Sequence, residues 1–159
     1  MMRKKSVRIG ILSTAVYLLA MLTAFAAEKQ HYYLMVFSNP VKSQEDTYVK
    51  WYEGQHVHDL LRIPGFVACQ FFKVGDVQFG EAKPPQRYLM IWEIETDNLP
   101  AVFADVNARL KDGRTVISDK VFDFKTYAST TMVPITKRIT SDEIKGKSVA
   151  EVYAIASGL

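Results

Sequence analysis

Tyr48, Tyr52 and His56 recur at intervals of four residues, the spacing that stacks side chains on one face of a helix. Gln55 and Asp59 fall beside that row. An imidazole titrates near neutral pH, so His56 is the member of this set able to take a proton beside a developing carbanion or enolate. Asp59, three residues on, would orient the imidazole or stabilise its cation, and Tyr52 would donate a hydrogen bond to a substrate oxygen. His56, Asp59 and Tyr52 are therefore the candidate catalytic group. Tyr48, Trp51 and Gln55 are candidate pocket residues, joined by Tyr88 and Trp92 from farther along the chain. The same residues also fit a purely structural description: a histidine hydrogen-bonded at the edge of a core, with aromatic rings fastening a helix to a sheet.

Tyr88, Met90 and Trp92 share one parity on a strand and so face one side, where they line a pocket or form ordinary core. Arg87 offers a planar fork suited to a carboxylate, although a strand-end arginine also suits solvent. No metal site is expected, because His56 and His58 are two apart and diverge on a helix, while His31 is placed in the N-terminal linker. Cys69 is the single cysteine and reads as a buried thiol rather than a nucleophile. There is no glycine-rich phosphate loop and no Ser-His-Asp spacing, and no cofactor is expected.

The elements that must position these residues follow from the apolar runs and their stops. Tyr32 to Phe37 is a β-prone run ended by Ser38-Asn39-Pro40. A helix is expected from about Ser43, as N-cap, to Arg62, with Glu45 and Asp46 at its positive end and Ile63-Pro64-Gly65 as its stop. Phe66 to Val74 and Arg87 to Glu95 are expected strands, separated by a Gly/Pro-rich surface loop. Asp97 or Asn98 caps a second helix over Leu99 to Lys111, and Val121 to Met132 is a fourth strand. This order predicts an α+β fold, a ferredoxin-like split βαβ repeat (β-α-β-β-α-β) with an antiparallel sheet.

The strands do not alternate cleanly between apolar and polar residues. Tyr33, Met35 and Phe37 oppose Tyr32, Leu34 and Val36, and in the second strand Phe66, Ala68 and Phe72 are placed opposite Val67, Cys69 and Phe71. Two helices cover only one face, so the open sheet face is expected to pack on its copy in a homodimer. The alternative cover is the tail, residues 135–159, which is polar and charged before an apolar end and can form a short helix.

Residues 1–27 read as a signal peptide: Arg3, Lys4, Lys5 and Arg8, an apolar run, then Ala24, Ala26 and Ala27. Cleavage there makes the protein secreted or periplasmic; a retained leader would anchor it in a membrane, the only membrane contact expected. The net charge is +3 overall, and losing four leader cations with no anion leaves −1. The basicity thus belongs to the leader, and nucleic-acid binding is not expected. The remaining 132 residues suit one domain, and with one cysteine no intrachain disulfide can brace it.

Together, Asn39-Pro40, Glu45-Asp46, Tyr48, Trp51-Tyr52, His56, Asp59-Leu60-Leu61 and Pro64-Gly65-Phe66 resemble the EthD-like members of the dimeric α/β-barrel superfamily. The resemblance spans residues 31–134 and is concentrated in the first half. It implies a ferredoxin-like subunit, a dimeric α/β barrel and a pocket between sheet and helices. Relatives of that superfamily include cofactor-independent oxygenases, cyclases, isomerases, aldoxime dehydratases and haem-degrading enzymes, and the histidine carried over from the pattern is His56. The expected ligand is a small apolar or aromatic carbonyl compound, with cofactor-independent proton transfer, oxygenation or rearrangement at His56. The alternatives are a non-catalytic periplasmic small-molecule-binding module and a haem-handling protein.

Overall fold

A computed structural model describes residues 28–81 and 84–158; the expected leader lies outside them. Among the described residues no helix is long and apolar enough to cross a membrane. The first strand, β1, spans Gln30–Ser38, so His31 belongs to the sheet rather than to a linker. A helical rod follows as α1, Glu45–Trp51, a π-helical turn at Tyr52–His56, and α2, Val57–Leu61. Helical dihedrals at Trp51, Tyr52, His56 and Val57 make it one continuous rod.

Ser43 does not cap this rod. It adopts φ 65°, and Gln44 occupies the N-cap position without a side-chain hydrogen bond. Glu45 does sit in the first turn as expected, but its carboxylate also ties the rod to the sheet, meeting Arg87, the Tyr88 hydroxyl and Lys73. Those bonds, Arg87's foremost, pull its carboxyl down to about 2. Arg87 is thereby engaged, and its fork is not free for a ligand.

Strand β2, Phe66–Lys73, and strand β3, Tyr88–Thr96, form the sheet centre with β1. Helix α3, Leu99–Asp112, is capped by the Asn98 side chain accepting from the Ala101 N–H and ends at Gly113 in the left-handed region. Strand β4 is only Ala128–Met132. Residues 121–127, expected as its first half, instead make turns and one isolated bridge from Phe122 to Pro40. The sheet is antiparallel with order β2-β3-β1-β4, which is compatible with a ferredoxin-like arrangement.

Register decides which side chains meet the helices. Tyr88, Met90, Trp92 and Ile94 of β3 are all buried; across from them lie Ser38, Val36, Leu34 and Tyr32 of β1. In β2 a bulge between Phe66 and Ala68 inserts one residue and reverses the pleat beyond it. Phe66, Cys69 and Phe71 therefore face the helices together, while Ala68, Gln70 and Phe72 face away. The strict parity expected from the sequence fails at that one residue. Cys69 is half-buried, and burial raises its thiol above the usual range.

The opposite face carries Phe72, Leu89, Phe37 and Ala128 in one cross-strand row and Gln70, Ile91, Met35 and Thr130 in the next. The tail forms two short helices, α4, Ser141–Ile144, and α5, Val149–Ser157. Each is opened by a capping box, from Thr140 with Glu143 and from Ser148 with Glu151. Among the described residues, the side-chain hydrogen bonds of the tail close within it, so no such bond fastens it to that face.

Gly65 makes the turn from α2 into β2 with φ +103°, and an added Cβ there would stand 3.0 Å from Val102 Cγ2. Its carbonyl also accepts from the Glu95 N–H at 2.8 Å. Gly65→Ala should cost about 1–3 kcal/mol through backbone strain and crowding. Urea unfolding checks this, with a lower midpoint at unchanged slope as the expected outcome.

Candidate functional site

The row expected on the first helix forms. Tyr48 and Tyr52 pack edge-on with ring centres 5.0 Å apart, and Tyr52 meets His56 edge-on at 5.1 Å. The π turn adds a contact that α-helical spacing would not predict. Within it the Val57 N–H reaches back to the Tyr52 carbonyl, a bond over five residues that widens the turn. Trp51 and His56, also five apart, stack with centres 4.4 Å apart and planes 28° from parallel. Trp92 closes a third side of the imidazole edge-on at 5.6 Å. Phe71 stacks on Tyr52 at 4.5 Å and on Tyr88 at 5.3 Å, linking the row to the sheet.

The polar tips do not converge on a common cavity. The Tyr48 hydroxyl and Ser38 Oγ share a buried hydrogen bond of 2.7 Å, while the Tyr88 hydroxyl goes to Glu45. Burial raises Tyr48 far above its ordinary range and pushes Tyr52 up to about 12, so both stay protonated donors at any ordinary pH. Asp59 does not bond to His56. Its Oδ1 accepts from Gln55 Nε2 at 2.6 Å and lies 3.5 Å from His58 Nδ1; its Oδ2 accepts from the Val116 N–H at 3.4 Å. Burial raises the Asp59 carboxyl, but the bonds from Gln55, Val116 and His58 outweigh that and leave it below its usual value. Gln55 is exposed and serves Asp59 rather than a pocket.

His56 is left as a buried ring, 6% exposed, whose Nδ1 has no hydrogen-bond partner. Desolvation lowers it to about 4 against a weaker opposing pull from the Asp59 charge. The imidazole is thus neutral at physiological pH and a weak proton acceptor while it stays enclosed. The five best-formed surface cavities among the described residues are lined by residues other than His56, Asp59, Tyr52, Trp51 and Trp92. The expected pocket residues Tyr48, Trp51, Tyr88 and Trp92 come together in a packed cluster of rings, and of these Tyr88 also lines an open cavity of about 520 Å³ beside Glu45, Phe71 and Lys73.

Comparison with known protein families, curated proteins and solved structures finds no match to this chain.

Sequence reasoning overlooked Val116 as a partner of this site. Val116 receives the Trp51 indole N–H on its carbonyl at 3.1 Å as well as giving its own N–H to Asp59. Thr115, beside it, is 2% exposed with an unpartnered Oγ1. Both sit in an irregular segment after α3, where neither apolar period nor turn chemistry announces the contact that Val116 makes with a helix some sixty residues earlier.

Because the folded pKa of His56 lies below the unfolded value of 6.5, the unfolded chain binds the extra proton between these limits. Stability is therefore full above about pH 6.5 and falls as the pH drops toward 4, by about 3 kcal/mol in total from this group. Thermal unfolding across that window should show the decline, and His56→Phe should flatten it.

Proposed function

We propose that this chain is an exported, homodimeric EthD-like protein of the dimeric α/β-barrel superfamily that binds a small apolar or aromatic carbonyl compound at His56. One observation carries the reading: a buried imidazole, enclosed by Trp51, Tyr52 and Trp92, whose Nδ1 has no partner. A buried polar atom left unpaired costs about 1–3 kcal/mol, and a ligand oxygen that bonds to it recovers that cost. The surrounding rings suit an apolar or aromatic body.

The neutral imidazole favours binding over strong base catalysis, so a non-catalytic carrier or sensor comes first and proton transfer at His56 second. Proton transfer gains support from the free-base form persisting at neutral pH. Saturable binding without product supports the carrier; turnover lost in His56→Phe supports the enzyme.

The homodimer rests on the open sheet face. Tyr33, Met35, Phe37, Leu89 and Ile91 lie there half-buried, and Phe72 and Met132 are 37% and 50% exposed. A contiguous apolar face of this kind calls for a cover, and a second copy supplies one by two-fold packing of sheet on sheet, the arrangement of a dimeric barrel. Ile91→Lys puts a charge at its centre. Sedimentation should show wild-type dimer and a folded monomeric variant; an Ile91→Lys variant that remains a dimer would locate the interface elsewhere.

A thermal-shift screen of aromatic aldehydes and ketones, lactones and quinones tests the ligand. A compound at ~100 times its dissociation constant adds ~2.7 kcal/mol, several degrees for a domain of this size. The shift should appear in the wild type and vanish in His56→Phe. An equal shift in both would remove His56 from the site.

A further inference from the structure

We propose that His31 makes the homodimer pH-sensitive: its imidazolium matches Glu93 and Glu95 on the open sheet face, so that two copies bind more tightly as the pH falls from about 8 to about 6. This rests on the preceding reading of that face as the dimer interface.

The face is not apolar to its end. His31, Tyr33, Met35 and Phe37 of β1 share a side with Leu89, Ile91, Glu93 and Glu95 of β3. Glu93 stands in a row that crosses all four strands, Ala68, Glu93, Tyr33 and Met132. That row lies next to the one that holds Ile91 and Met35, and Glu95 and His31 pair one step farther out. The His31 and Tyr33 rings meet with centres 4.8 Å apart. A copy that covers Tyr33 and Met132 covers Glu93 with them, because the three are neighbours across the strands.

Taking a carboxylate out of water is costly unless it gains a donor. In the single chain the Glu93 and Glu95 side chains keep partial access to water. His31 lies between them, with Nε2 3.3 Å from Glu93 Oε2 and Nδ1 3.5 Å from Glu95 Oε1. Nε2 is shielded from water and has no hydrogen-bond partner, so the contact with Glu93 is close without being a directed bond. The two protonation states of the ring then differ in what they can satisfy. A neutral imidazole carries one N–H and turns a lone pair toward the other carboxylate, whereas the cation donates from both nitrogens.

The surroundings leave this task to His31. From β1 the Tyr33 phenol faces it, and from β3 the two carboxylates; the neighbouring positions of β2 and β4 are Ala68, Gln70, Thr130 and Met132, all uncharged. Glu28 and Lys29 precede β1, and exposed Lys29 shares a surface cavity with Glu95, Asp97 and Asp105. Among the described residues the salt bridges of Glu93 and Glu95 are those to His31, and Lys137, beyond β4, is paired with Glu143. Covering the face with a neutral His31 encloses an unmatched carboxylate. Association therefore takes up a proton on each protomer, and the dimer gains as acidity rises.

Sedimentation equilibrium of the full chain at pH 8.0 and pH 6.0 reads the dimer dissociation constant, and His56, lowered to about 4, stays neutral at both. The constant should be at least about tenfold smaller at pH 6.0. His31→Gln, uncharged at both values, should hold the constant level and no tighter than the wild type at pH 8.0. Glu93→Gln removes the charge that calls for the proton, and should tighten the dimer at pH 8.0 and shrink the pH difference. A wild-type constant that is equal or larger at pH 6.0, or a pH difference that survives in His31→Gln, overturns the proposal and leaves the dimer standing. A chain that stays monomeric at both pH values sinks the dimer reading and this one together.

Discussion

The packing of one helical row, Tyr48, Tyr52 and His56, against Phe71, Tyr88 and Trp92 of the sheet is the contact on which the other features of the site depend. It brings the rod down onto β3 and seals Ser38 beneath it, where Ser38 can be satisfied by the Tyr48 hydroxyl. It also withdraws an imidazole from water without giving its Nδ1 a replacement partner. Rings supply area and geometric specificity but no strong acceptor or donor, so polarity at His56 is left over rather than consumed. The π turn contributes by bringing Trp51 into stacking range, and the same indole reaches Val116. The rod and the segment after α3 are therefore joined through this one indole.

A second constraint runs through the sheet. Side chains of β1 and β3 are apolar on both faces, and the helices serve only one. The face that holds Met90 and Trp92 is closed by the rod and α3, whereas the face that holds Met35 and Ile91 stays partly exposed in the single chain. At one end of that face His31 sits between Glu93 and Glu95, with nitrogens 3.3 and 3.5 Å from their carboxylates. Apolar rows with a polar end give that face a direction.

The sequence made the helical row legible because spacing by four needs no tertiary knowledge, and the element order was legible because Pro40, Pro64 and Asn98 punctuate it. Asn98 does cap α3, and Gly65 does make the turn its neighbours suggest. Other features depended on information a single residue type does not carry. The bulge at Val67 is invisible in a run of apolar residues, yet it reverses the pleat of β2. The charge of Asp59 suggested an orienting role for His56, three residues before it, but its acceptors are satisfied by Gln55 and by a backbone N–H far along the chain. Val121 to Tyr127 looked strand-like because it is rich in aromatic residues; Phe122, Phe124 and Tyr127 instead cluster with one another.

The account stands or falls on His56 being enclosed, neutral and unpaired. NMR titration of its imidazole nitrogens in the full chain measures this directly. The account predicts a neutral ring throughout pH 5.5–8, with a midpoint near 4. A midpoint at the ordinary value of about 6.5 would mean a solvated or partnered imidazole, and would contradict it.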